Sequence, residues 1–577
     1  MATSLSSAPD QGGSIFGHKP GLFVLFFTEM WERFSYYGMR ALLVLFLVQA
    51  AFGEGPWERS EALELYAIYT GFVYFTPMLG GIIADRFLGY RKAVVLGAFV
   101  MTLGHAAMAV ETEYVFYLGL LLLIIGNGLF KPNISSIVGQ LYTGEEERKD
   151  GAYTIFYMGI NSGAFLGILL CGYFGEQWGW SWGFGLAGVF MLFGLIQFWL
   201  AQNIFGKIGL APSDEGDTIE EAAKVEDELI QVPKGTDITG SNSGAGRITT
   251  WAAIAAAVGI VLYFLTEETI AAVIFATVIG FIGWIVSDPT LKGIEKDRVW
   301  VIVILSFFIV FFWWAFEQAG GSMTIFAADY TERNLTGSGA DIYWIANTLI
   351  TVLPMAVLTY VLVKLFNITF TDYSASNIVL GLAFVIVWIL VGIMLYEQFS
   401  AETTEVPASW FQIFNSLFII CFAPLFSKLW ERKVSWLNSW PVKFALGLTL
   451  LGLGFAILAF GAMGIPEGAK TASVSMFWLI AAYLLHTLGE LCISPVGLSY
   501  VSKLAPIRLV GLMFGVFFVA NFVANYAAGK TGSYIDPIAE AVGISGFFLI
   551  FAAVPIVAAV VLILIKGWVS RMMHGIE

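Results

Sequence analysis

Long apolar runs alternate with short polar stretches from Gly21 to Lys566. A helix that crosses a bilayer needs about 20 mostly apolar residues. Runs of that kind fall at 21–50, 63–84, 92–110, 114–138, 152–175 and 182–203, then at 251–265, 269–287, 299–328, 343–366, 377–399, 408–430, 441–463, 473–500, 510–529 and 543–566. The pattern predicts sixteen membrane-spanning helices and an all-α integral membrane fold. One long polar stretch, 206–250, parts the sixth from the seventh. It holds Asp214, Glu215, Asp217, Glu220, Glu221, Glu226, Asp227 and Glu228, then GTDITGSNSGAG, and reads as a linker because nothing in it could bury a core.

A break after six helices is what two six-helix halves would show, with a substrate site near the midplane between them. The expected units are a polar tail at 1–20, a first bundle at 21–205, the linker at 206–250, an extra hairpin at 251–287 and a second bundle at 298–570. The second bundle carries an inserted pair at 343–399. Each surplus pair is even in number, so neither inverts the topology, and the inserted pair is expected to pack outside the pocket.

Composition agrees with a chain dissolved in lipid: 58% of residues are hydrophobic and 12% charged, against about 25% charged in soluble domains. The mean hydropathy is +0.80. Although the net charge is −14, the acids gather in the linker and in alternate loops, and no nucleic-acid function is read from it. Basic residues orient a membrane protein. They cluster at Arg86, Arg91 and Lys92, at Arg148 and Lys149, at Lys292, Lys296 and Arg298, at Lys428, Arg432 and Lys433, at Lys503 and Arg508, and at Lys566 and Arg571. These loops are expected in the cytoplasm with both termini. Met1 to Ser14 has no basic run or cleavage signal, so no signal peptide is expected. Cys171, Cys421 and Cys492 lie in apolar runs without metal or redox spacing and read as small buried hydrophobes.

An ionisable residue inside a span is costly, so it marks a candidate site. The run EMWERFSYYGMR places Glu29, Glu32, Arg33, Tyr37 and Arg40 on the first helix. At about 100° per residue they share a face. Glu29 and Arg33 stand at i,i+4, where side chains meet; a carboxylate so held could release or accept a proton when the pair parts, or the pair could simply hold helices together. Lys131, before Pro132, is a lone mid-span cation on the fourth helix, and only Glu317 and Glu490 offer a central acid in later spans. Lys131 with one and Arg40 with the other would make two ion pairs between the halves. Tyr157 and Asn161 add hydrogen-bonding groups on the fifth helix. His105 reads as helix-lining and His486 as a support behind the site.

These residues amount to a resemblance. The segment EMWERFSYY is similar to the ExxERFxYY signature of the proton-dependent oligopeptide transporter (POT) family of the major facilitator superfamily. GGIIADRFLGYRK, FKPNIS, FYMGINSGAFLG, FWWAFEQAGGS, SWFQIFNSLFI and GELCISPVGLS resemble the family in the same order. The resemblance implies proton coupling by Glu29, Glu32, Arg33, Lys131 and Glu317. It implies peptide binding by Tyr37, Arg40, Tyr69, Lys131, Tyr157 and Asn161 on one side and by Trp313, Asn415, Glu490 and Ser494 on the other. Asn415 is preferred to Asn347 on its FQxxN match, and Phe517 stands where many relatives have tryptophan.

The resulting expectation is a proton-coupled symporter of di- and tripeptides, with the major facilitator fold of two six-helix bundles plus two extra helix pairs. It would be monomeric and multi-pass in a bacterial inner membrane, with lipid around it and no cofactor or metal beyond the coupling proton. A peptide's carboxylate would meet Arg40 and Lys131 and its ammonium Glu490. The alternatives are a relative carrying nitrate, an amino-acid conjugate or a drug, and a membrane receptor. No nucleophile and base pair, metal spacing or phosphate loop points to an enzyme.

Overall fold

A computed structural model describes residues 13–53, 55–211, 242–431, 439–506 and 509–576. The acidic stretch at 214–228, and Arg432, Lys433 and Arg508, lie outside the described residues. Among the described residues, fourteen helical stretches are long and apolar enough to cross a membrane. One of them, Arg59–Met108, contains two crossings, and the charged first helix adds another, which gives sixteen.

The first bundle is α1 (Pro20–Gln49), α2 (Arg59–Ile83), α3 (Gly89–Met108), α4 (Glu113–Leu141), α5 (Glu146–Trp178) and α6 (Trp180–Ala201). A hairpin follows, α7 (Asn242–Thr266) and α8 (Thr269–Val286). Next come α9 (Ile294–Phe316), the inserted pair α10 (Ser338–Thr369) and α11 (Ser374–Ser400), α12 (Ile413–Glu431), α13 (Trp440–Gly461), α14 (Phe477–Leu504), α15 (Val510–Gly532) and α16 (Ile535–Met572). With an even number of crossings, the starts of α1 and the end of α16 share one face of the bundle, here the near end; the other is the far end.

Two helices are interrupted. After Phe316, α9 tightens into a 3-10 turn at Glu317–Gly320 and resumes at Ser322–Asp329, where the paired glycines Gly320 and Gly321 follow the acid. Such a break is tolerated at membrane depth when protein surrounds it, and Glu317 is buried. In α16, Gly543 has φ +73°, a conformation open to a residue without Cβ. At the near end, Lys19 bonds the Leu141 carbonyl and Glu145, each at 2.7 Å. Lys19, aided by Arg148, holds the Glu145 carboxyl below the usual carboxylate range.

Close packing of α1 on α5 sets the site. Gly159, Gly163 and Gly167 repeat every four residues, a helix spacing that lets backbones approach. A Cβ on Gly163 would stand 2.1 Å from the Met30 carbonyl oxygen and 2.9 Å from Arg33 Cβ, and one on Gly167 would stand 2.1 Å from the Phe34 carbonyl oxygen. Backbone on both sides cannot yield cheaply. Gly163→Ala is therefore expected to destabilise the fold by about 1–3 kcal/mol or more, read as a lower melting temperature in detergent. An unchanged melt would show that α1 and α5 can separate without cost.

The inserted pair belongs by chain order to the second half, but it lies on α6, α1 and α5 of the first, outside the space between the bundles. The cysteine expectation needs one correction. Cys171 and Cys492 are buried, whereas Cys421 on α12 is exposed.

Candidate transport site

Helix α1 is buried over nearly its whole length, and its charges are paired at once. Arg33 Nη2 bonds Glu32 Oε1 at 2.6 Å while its Nε also bonds Glu32, and Glu29 Oε1 stands 3.2 Å from Nε. The expected Glu29–Arg33 pair thus exists, but the closer two-toothed partner is the adjacent residue Glu32. A rigid guanidinium fork matches a carboxylate in this way. Glu29 Oε2 is left without a hydrogen bond among the described residues. Two carboxylates to one guanidinium leave one negative charge for a proton or a nearby cation to balance, and Lys131 is within electrostatic reach of both acids.

Toward the far end, Arg40 bonds the Tyr66 hydroxyl at 2.9 Å and pairs with Glu317 across the two halves. Gly320 sits so close to Tyr66 and Arg40 that a Cβ there would reach 2.1 Å from the hydroxyl. The break in α9 therefore lets Glu317 meet Arg40. More contacts between the halves lie beyond it. Arg59 pairs with Asp329 at 2.6 Å and Asp536 at 2.8 Å, and Lys530 pairs with Glu64 and Glu268. Glu176 on α5 accepts from the backbone N–H groups of Ala408 and Ser409 at 2.9 and 3.0 Å. Among the described residues, every ion pair between the bundles is on this far side.

On the near side no ion pair joins the bundles among the described residues. Tyr157 and Met158 on α5 are 38% and 53% exposed, and Leu425 on α12 is 59% exposed. Lys131, half-buried, has no carboxylate at ion-pair distance among the described residues; its ammonium stands 4.7 Å from the Tyr74 ring centre. Of the two pairs expected between the halves, Arg40–Glu317 is made and Lys131–Glu490 is not. Glu490 instead accepts from Asn415 Nδ2 at 2.8 Å, and the same amide reaches Thr487 at 3.2 Å. Asn161 bonds the Tyr157 carbonyl at 2.9 Å. Trp313 and Tyr37 are half-buried, and the Ser494 hydroxyl oxygen is buried without a partner among the described residues.

Tyr69 is 1% exposed and lies within electrostatic reach of Glu32, Arg33 and Arg40, while Tyr74 on the same helix stands beside Lys131. Asn347 bonds Gln398 within the inserted pair at 2.6 Å, away from Glu490. His486 packs its ring 4.3 Å from that of Phe455, and both His486 and His105 are fully enclosed. Tyr66 and Tyr74 were not singled out by sequence; their spacing along α2 was the available signal.

The profile of the POT family matches residues 91–395 and 387–546. The uncharacterized transporter YclF of Bacillus subtilis (strain 168) is 32% identical over 576 residues, which cover 99% of this chain and 98% of that one. The peptide transporter YePEPT of Yersinia enterocolitica subsp. palearctica is 31% identical, covering 91% and 89%. A crystal structure of a peptide transporter POT in complex with sulfate superposes with a TM-score of 0.69 at 28% identity, covering 99% of this chain and 98% of that chain. The fold is that of the major facilitator superfamily, and on the profile match and the whole-length relatives the chain belongs to the POT family.

Proposed function

We infer that this protein is a symporter, not an enzyme, which imports di- and tripeptides with protons by alternating access. The observation that carries the reading is the pair Lys131 and Glu490: among the described residues, a cation with no carboxylate at ion-pair distance and a carboxylate held by the Asn415 amide. A charge left uncompensated at bilayer depth costs at least about 2.5–3.5 kcal/mol on insertion scales. A zwitterionic peptide supplies the missing partners, its carboxylate to Lys131 and its ammonium to Glu490, while Asn161 and Asn415 offer amides to its backbone. The cluster Glu29, Glu32 and Arg33 would carry the proton, and no other cofactor is invoked.

The Lys and Arg distribution supports a near end and both termini on the cytoplasmic side of a bacterial inner membrane. The conformation is then inward-facing, with Arg40–Glu317 and the Arg59 cluster closing the outside. The monomer is the unit proposed. Uptake of a labelled dipeptide into proteoliposomes tests the reading. An acid gradient directed inward should drive accumulation that a protonophore collapses; equal uptake with and without the gradient would remove proton coupling.

A further inference from the structure

The inserted pair α10–α11 meets the first bundle at every depth. Near the chain start, Phe16 lies 6.3 Å from the Tyr360 ring, and a Cβ on Gly13 would touch Ile368 side-chain carbons at 3.3 Å. Ser376 donates to the Gln197 carbonyl of α6 at 2.9 Å. Deeper, the Phe384 ring meets Phe27 and Trp31 of α1 edge to face, each at 5.6 Å. At the far end Glu397 accepts from the Tyr173 hydroxyl at 3.0 Å and from Trp178 Nε1 at 3.1 Å. The pair is itself one unit, tied by Asn347 to Gln398 at 2.6 Å and by Trp388 to Thr359 at 3.0 Å.

Its covalent links run the other way, to the second half, through 330–337 and 401–407. Both connectors lie at the far end, where Asn334–Leu335 pairs antiparallel with Thr404–Glu405 and Arg333 holds Glu405 at 2.7 Å. Directly after the second connector, Glu176 of α5 holds the start of the next helix through Ala408 and Ser409. The far end of α5 thus grips two neighbours, Glu397 of the pair and Ser409 of the second bundle.

We propose that α10–α11 travels with the first bundle through the cycle, and that the hold of Glu176 on Ala408 and Ser409 is released when the far end opens. The physical asymmetry is extent. Stripping the pair from α6, α1 and α5 would lose packing along the whole depth, Phe384 against Phe27 and Trp31 included, together with the hydrogen bonds of Ser376 and Glu397 at the two ends. Glu176 sits at the far boundary, where water can replace its three bonds. The seven residues 401–407 can span up to about 25 Å when extended, enough to follow the movement.

The proposal rests on the alternating-access reading, and cross-linking tests it in a background with Cys171, Cys421 and Cys492 replaced. Gly13→Cys with Ile368→Cys joins the pair to the first bundle; Gly172→Cys with Ser409→Cys joins the two bundles, since a Cβ on Gly172 would stand 3.2 Å from Ser409 Cβ. Oxidising the first pair should leave dipeptide uptake within about twofold of the reduced protein, whereas oxidising the second should abolish uptake until a reductant is added. Where the Gly172 variant fails to fold, Arg59→Cys with Asp329→Cys, bridged by a short bifunctional thiol reagent, replaces it. Uptake lost on oxidising Gly13→Cys with Ile368→Cys, or failure of that pair to cross-link in membranes, would overturn the proposal. So would uptake that survives the Gly172 to Ser409 cross-link. Labelling of Leu63→Cys, fully buried beneath the closed far end, by an impermeant maleimide reads opening without any substrate. A parent that labels there but takes up no peptide would sink the transport reading and leave this test standing.

Discussion

Glu32→Gln is expected to abolish accumulation of dipeptide against a gradient while leaving counterflow exchange. The side chain is fully buried and grips Arg33 through both oxygens, so the cluster's charge depends on it directly. With Gln at 32, Arg33 and Glu29 balance each other, and the negative charge that called for a proton is gone. Exchange of peptide for peptide needs no net proton movement and should persist. The substitution preserves shape and one acceptor oxygen, which keeps α1 in place better than Glu32→Ala, where a buried arginine would lose its closest partner at about 3–5 kcal/mol. The measurement is a pair of proteoliposome assays on one preparation. Undiminished uphill accumulation would take Glu32 out of the coupling, and loss of both activities with a normal melting profile would make it a binding or gating group instead.

The sites that could be read in the sequence were those where lipid makes polarity expensive. Glu29, Glu32, Arg33 and Arg40 on one helix, and Lys131, Glu317 and Glu490 each alone on another, stand out because a bilayer tolerates few such groups. The structure brings the first four onto the inner face of α1 and joins Arg40 to Glu317. What was not legible was rotation. Helix α2 is apolar on most sides, so nothing in its pattern singled out Tyr66 and Tyr74, which its packing turns toward Arg40 and Lys131. The choice of Glu32 over Glu29 as the closer partner of Arg33 was hidden for a similar reason, since i,i+4 spacing predicts proximity but not which carboxylate wins the fork.

Lateral placement was hidden more deeply. A hydrophobic helix face satisfies lipid and a neighbouring helix equally well, so runs such as those of α10 and α11 announce a crossing without saying against what. The contacts that settle it are few and specific: the Ser376 hydroxyl on a carbonyl of α6, Phe384 between Phe27 and Trp31, and Glu397 under Tyr173 and Trp178. None of these leaves a periodic trace in the sequence. The glycine stripe of α5 was visible but was absorbed into the likeness of FYMGINSGAFLG to a family motif. Its physical role, backbone approach to α1, emerges only from the distances at Gly163 and Gly167.

Lys131→Ala is expected to weaken the free dipeptide far more than its C-amidated analogue. Among the described residues the ammonium stands beside the Tyr74 ring with no carboxylate at ion-pair distance, so a peptide carboxylate would gain a charge-assisted hydrogen bond there. Such bonds contribute about 1.5–3 kcal/mol, and removing the lysine should therefore raise the apparent dissociation constant of the free dipeptide by about 10- to 100-fold. The amidated peptide has no carboxylate to lose, and its already weaker competition should move by less than about threefold, the scatter of a single exposed contact. Competition against a labelled dipeptide at fixed pH, in wild type and variant, gives all four values needed for the cycle. The complementary change, Glu490→Gln, should instead narrow the gap between free and N-acetylated peptides. If amidated and free peptides compete equally in the wild type, then Arg40 and Lys131 do not read a carboxylate, and a solute of different charge becomes the better reading of the cavity.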